Sequence, residues 1–136
     1  MQDITGGCLC GAIRYAIGAK PIGGGFCHCR DCQYLSGGTP ASVVGFPREA
    51  FRLTNGDLRA YWSTSDRNVR VARLFCADCG TRISALNESN PEIVPISAGS
   101  LDDPSIFRPM AHIWTASAQP WHHIDRSIPC FKNDAT

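Results

Sequence analysis

No run of about 18 apolar residues occurs in the 136-residue chain, which excludes a conventional membrane-spanning helix. A dense basic run is also missing: 13 Lys and Arg stand against 12 Asp and Glu, a formal net charge of +1. Nothing in that balance is built to neutralise a phosphate backbone, so nucleic acid is not an expected partner. Met1-Gln2-Asp3-Ile4-Thr5 lacks the charged head and apolar run of about 7–15 residues that mark a secretory leader, and a cytoplasmic location is expected. Without secretion, the acceptor pattern Asn87-Glu88-Ser89 carries no weight. No Gly-x-Ser-x-Gly motif arranges a serine for acyl transfer. Solenoid-period repeats and low-complexity tails are absent as well, and the length suits one domain spanning residues 1–136.

Cysteine, by contrast, is abundant and patterned. The eight fall as Cys8-Leu9-Cys10, Cys27-His28-Cys29-Arg30-Asp31-Cys32, Cys76-Ala77-Asp78-Cys79 and a lone Cys130. Residues one or two positions apart can aim their sulfurs at a single ion about 2.3 Å away, whereas two cysteines separated by one residue are poorly placed to bridge each other. The spacing therefore points to metal sites rather than a disulfide framework, and to zinc.

Short alternating apolar stretches predict a mainly antiparallel β protein. Ile13, Tyr15 and Ile17 share one strand face, and 58–62 and 69–75 repeat the pattern around a polar hairpin loop at 63–68. Further strands are expected over 42–46, 81–86 and 92–96, the last at an edge or bulge because Pro95 cannot donate to a ladder. One short helix is expected from Arg30 to before Gly37-Gly38, and a turn near Asp102-Asp103-Pro104-Ser105. Gly23-Gly24-Gly25 reads as a tight connection.

Cys8-x-Cys10-Gly11 and Cys76-x-x-Cys79-Gly80 each place glycine after the second thiol, where positive φ lets backbone amides face sulfur. Together they offer four thiolates for a closed tetrahedral site, read as structural zinc. Cys27, Cys29 and Cys32 can hold a second zinc from a single turn. Spacing leaves open whether this site keeps an exchangeable fourth position or is closed by Cys130, His28 or another histidine. Three thiolates against Zn²⁺ leave a net charge near −1 and a weak Lewis acid, so an open site favours binding a substrate thiol over activating water.

These motifs converge. Gly6-Gly7-Cys8-Leu9-Cys10-Gly11-Ala12-Ile13-Arg14-Tyr15, Cys27-His28-Cys29-Arg30-Asp31-Cys32 and Phe75-Cys76-Ala77-Asp78-Cys79-Gly80, with His112-Ile113-Trp114 and Pro120-Trp121, resemble the glutathione-dependent formaldehyde-activating enzyme family. The resemblance covers nearly the whole chain. It implies a compact β-tent zinc fold of the kind also seen in methionine sulfoxide reductase B, with few short helices, Cys8, Cys10, Cys76 and Cys79 as the structural set, and Cys27, Cys29 and Cys32 around the second zinc. The reaction it implies is addition of glutathione to formaldehyde, giving S-(hydroxymethyl)glutathione, a carbon–sulfur lyase in reverse. The implied partners are a small-molecule thiol and an aldehyde.

Cys130 lies outside that pattern and is expected as a free thiol. His28 alternates with its cysteine neighbours and is expected to point away from the metal. His112 and the His122-His123 pair, beside Trp114 and Trp121, are expected to pack and hydrogen-bond. Arg14, Lys20 and Arg48 are expected to be ordinary solvated charges, and Arg30, adjacent to the cluster, is the candidate contact for a glutathione carboxylate. The competing reading of the whole chain is a binding module in which both zinc sites are structural.

Overall fold

In the computed structural model, which describes residues 2–134, ten strands form two sheets. Tyr15 and Ile17 alternate inward along β2 (Arg14–Ile17), which sits between β1 (Ile4–Gly7) and β5 (Phe51–Asn55) in an antiparallel three-stranded sheet. The larger sheet runs in the order β10 (His112–Ile113), β3 (Gly23–Cys27), β4 (Ala41–Pro47), β9 (Ile93–Ser97), β8 (Arg82–Asn87), β7 (Arg70–Phe75) and β6 (Arg59–Thr64). Its pairs are antiparallel except β10 with β3, which is parallel. The helical content is confined to α1 (Arg30–Leu35) and single 3₁₀ turns, one of them at Pro104–Ile106 with Asp103 as its cap. A mainly β architecture with short helices is thus the fold.

The core joins both sheets. Ile13, Tyr15 and Ile17 belong to one cluster with Val44, Phe46, Ile83, Val94 and Ile96, and Cys8 and Cys76 lie in the same cluster. The Tyr15 hydroxyl meets Ser100 Oγ at 2.8 Å, so the ring is buried without an unpaired polar atom; burial pushes its phenol up to about 12.

Two expectations are corrected. Gly23-Gly24-Gly25 is not a connection but most of β3: Gly24 has room to pair only because it lacks a side chain, since a Cβ there would stand 2.5 Å from Val43 O. The strand containing Pro95 is interior rather than at an edge. Its ladder to β8 shrinks to the single pair Ser84 with Ile96, and Ser84 Oγ donates instead to Pro95 O at 2.6 Å. The 63–68 hairpin closes as expected, through Ser65 and Val69, and leaves β6 as the exposed edge, where the Arg70 guanidinium stacks on Trp62 at 4.5 Å.

Candidate metal centres

The turn before β2 brings Cys8 and Cys10 against Cys76 and Cys79 from the turn between β7 and β8, and all four sulfurs lie within 4.8 Å of one another. Cys8 and Cys10 Sγ are 3.6 Å apart, and Cys10 and Cys76 Sγ 3.8 Å. A tetrahedron with metal–sulfur bonds of about 2.3 Å has edges of about 3.8 Å, so the donor set fits an ion of that kind. Gly11 and Gly80 adopt φ of +85° and +79°, as the knuckle turns require. The Ile13 amide donates to Cys8 Sγ at 3.2 Å, and the Thr81 hydroxyl and amide, with the Cys10 amide, hold the Cys79 thiol down to about 5.

Cys27 closes β3, Cys29 caps α1 by accepting the Cys32 amide at 3.4 Å, and Cys32 is buried in the first turn. Their three sulfurs also lie within 4.8 Å of one another, and among the described residues no fourth His, Cys, Asp or Glu joins them. Hydrogen bonds from Cys27 and Cys29, reinforced by the charge and a hydrogen bond of Arg82, hold the Cys32 thiol down to about 3; contact with Cys29 and Cys32, together with burial, pushes the Cys27 thiol up. The buried Nε of Arg82 has no hydrogen-bond partner among the described residues, while the Arg82 side chain hydrogen-bonds Cys32 and sets a cation beside the sulfur cluster. Either cysteine group could hold a metal ion.

Cys130 is not in either group; its thiol donates toward Ile128 O at 3.4 Å. His28 points away from the sulfurs, as expected, and joins a chain of three histidines. Asp125 N–H donates to His112 Nε2 (3.1 Å), which leaves the proton of His112 on Nδ1 to donate to His28 Nε2 (2.8 Å). His28 Nδ1–H then donates to His122 Nδ1 (2.9 Å), and His122 Nε2–H donates to Gly38 O (2.8 Å). The fixed backbone groups at the two ends leave one set of tautomers in which every bond of the chain has one donor and one acceptor. Burial, with the neighbouring rings of His112 and His122, lowers His28 to about 4. Gln33 completes the frame: its Nε2 donates to His28 O (2.7 Å) and Ser117 O (2.9 Å), and its Oε1 accepts from Arg30 (2.6 Å) and Gln119 (3.0 Å). Arg30 is exposed, with its guanidinium 4.7 Å from the centre of the Tyr34 ring.

Arg82, Gln33 and the histidine chain are thus parts of the second centre that motif reading did not assign. Substituting Arg82→Met is expected to weaken metal binding at one of two sites by about 10–100-fold, the usual cost of losing an outer partner, in competition with a chromophoric chelator. Equal affinity in both proteins would remove Arg82 from the centre.

A β chain with one four-sulfur group between its sheets and one three-sulfur group at a helix cap defines a cysteine-clustered protein with two potential metal centres. The chain belongs to the glutathione-dependent formaldehyde-activating enzyme family, whose model matches residues 3–117 and so includes all seven clustered cysteines. It is also similar in fold to the crystal structure of a Rhodobacter sphaeroides protein from the Northeast Structural Genomics effort. The TM-score is 0.56 at 23% identity, over 73% of this chain and 88% of that one. No curated protein is matched. Among the described residues no helix is long and apolar enough to cross a membrane.

Proposed function

We propose that the chain is a two-zinc enzyme that adds a thiol, glutathione in the first instance, to a small aldehyde at the Cys27, Cys29 and Cys32 centre. The carrying observation is that this group presents three sulfurs and, among the described residues, no fourth donor, while His28 and Cys130 are engaged elsewhere. Family membership supports glutathione and formaldehyde as the substrate classes. When bound, zinc supplies an acidifying position for an incoming soft ligand, so that a thiol reacts as its thiolate at neutral pH. The chain's own residues do the rest. Arg82 balances the charge of the sulfur cluster, the histidine chain and Gln33 hold the Cys27–Cys29 backbone, and Arg30, exposed at the start of α1, is available to a glutathione carboxylate. In the addition, the thiolate sulfur bonds to the carbonyl carbon, the C=O π pair moves to oxygen, and that oxygen takes a proton equivalent to the one the thiol released. Carbon–sulfur cleavage is the same path in reverse. The four-sulfur group is read as structural.

Glutathione at millimolar concentration is expected to perturb the thiolate-to-metal absorption of cobalt-substituted protein, and an unchanged spectrum would sink the open-site reading. The Cys130→Ser protein should respond in the same way and retain two zinc ions per chain. Loss of one ion would make Cys130 the fourth ligand.

A further inference from the structure

Beside the three-sulfur centre lies a groove of about 480 Å³ whose lining includes Cys27 and no charged side chain. Its floor comes from two glycines facing each other across the β3–β4 pair, Gly23 and Gly45. A Cβ at Gly23 would meet nothing within 4 Å, and one at Gly45 would make only ordinary contacts of 3.6–3.9 Å. Ile22, Ile93, Met110 and Ile113 form the walls, with Ile22 and Met110 exposed. Met110 N donates to Gly24 O and Phe26 N to Ala111 O, both at 3.0 Å, so the Met110 wall is fastened to β3 rather than hanging over it. Cys27 ends β3 and lines the groove, and between it and Gly23 the Ala111 backbone covers Gly25, where a Cβ would stand 2.3 Å from Ala111 O.

Formaldehyde has two heavy atoms, and a groove of this volume is of the size that encloses a whole organic ligand. Glutathione brings two carboxylates and an ammonium, which an uncharged apolar lining cannot pair. That leaves the electrophile as the apolar partner. We infer that this groove binds the hydrocarbon part of the aldehyde, so that the chain takes aldehydes of several carbons, aliphatic or flat and aromatic, with the carbonyl directed toward Cys27. The inference rests on the thiol–aldehyde reading for its chemistry and on the groove alone for its binding. The adduct is RS–CH(OH)–R′, formed as above with R′ in the groove.

The test uses the full chain carrying both metals and the unreactive primary alcohols from methanol to octanol, followed by NMR. Affinity should rise about fourfold per added CH₂, the equivalent of about 0.8 kcal/mol, until the groove is filled. Shifts should centre on the Gly23 and Gly45 amides and the Ile93 and Ile113 methyls. Gly23→Val, whose side chain enters open space on an extended strand, should abolish the chain-length dependence while the protein keeps two zinc ions and its melting temperature. No chain-length dependence, or shifts mapping elsewhere, would overturn the inference. So would shifts of the same residues on raising protein concentration without alcohol, which would make the groove a contact between copies. The aldehyde reading is scored separately, by the rate of glutathione addition to butanal, octanal and benzaldehyde. Alcohol binding in the groove with no addition to any aldehyde would sink the reaction and leave the hydrocarbon site standing.

Discussion

Cys76→Ser is expected to yield a chain with one zinc ion and no cooperative unfolding transition. Cys76 is 1% exposed and sits with Cys8 in the core cluster that joins the two sheets, so the four-sulfur group is part of the core rather than an attachment to it. The small sheet has only three strands, and besides the shared core its ties to the rest include the Tyr15–Ser100 bond, the Gly6–Leu101 bridge, two hydrogen bonds between Thr5 and Asp102 and the exposed Arg14–Asp102 pair. A surface pair of that sort contributes about 0–1 kcal/mol. Structural zinc contributes about 10–16 kcal/mol of apparent binding energy in small domains, as much as or more than the roughly 5–15 kcal/mol by which a whole domain is stable. Serine would also bury a hydroxyl in place of a thiolate, adding to the loss. Urea melts followed by far-UV circular dichroism check this. A two-state transition within about 1 kcal/mol of the parent protein would remove the structural role from this group.

The four-sulfur group was legible in the chain because each half is local. Cys8 with Cys10 and Cys76 with Cys79 show ligand spacing within a single turn, and Gly11 and Gly80 mark the φ those turns need. Strands β2, β6, β7 and β8 were legible for the same kind of reason, since a period of two is written in adjacent residues. Strand β3 was not, because three consecutive glycines carry no alternation; the facing backbone of β4 makes them a strand. The interior place of β9 depends on Ser84, eleven residues away, which satisfies the Pro95 carbonyl. The supports of the second centre were hidden by distance. His28 meets His112 and His122 across 84 and 94 residues, and nothing near His28 announces either partner. Arg82 opens a strand whose next residues, Ile83, Ser84 and Ala85, are all buried, and a charge at a strand start reads as solvated until the fold sets it against Cys32. Cysteine spacing could locate that centre, but only tertiary structure could show that Cys130 and His28 are occupied elsewhere.

Cys29→Ser is expected to fall to the other side of the same comparison: a folded protein with a cooperative melt, less stable only by the binding energy of the lost ion, whose catalysis of thiol addition drops by at least about 10³ toward the uncatalysed rate. Cys29 caps α1 with its sulfur, accepting the Cys32 amide, and serine is among the best residues for that position, so the helix start survives the exchange. The backbone on either side is held independently, by Cys27 pairing with Ala41, by His28 N donating to Ile113 O, and by Gln33 bonded to His28 O and Ser117 O. What serine removes is one of three sulfur donors, and a neutral hydroxyl is a poor replacement for a thiolate toward a soft site. Zinc content should fall from two ions to one without loss of the cooperative melt, and the cobalt spectrum should lose its response to glutathione. Retained activity would take Cys29 out of the reacting centre. Collapse of the fold like that expected for Cys76→Ser would make both cysteine groups structural, and the chain would then be a zinc-stabilised binding module rather than a catalyst.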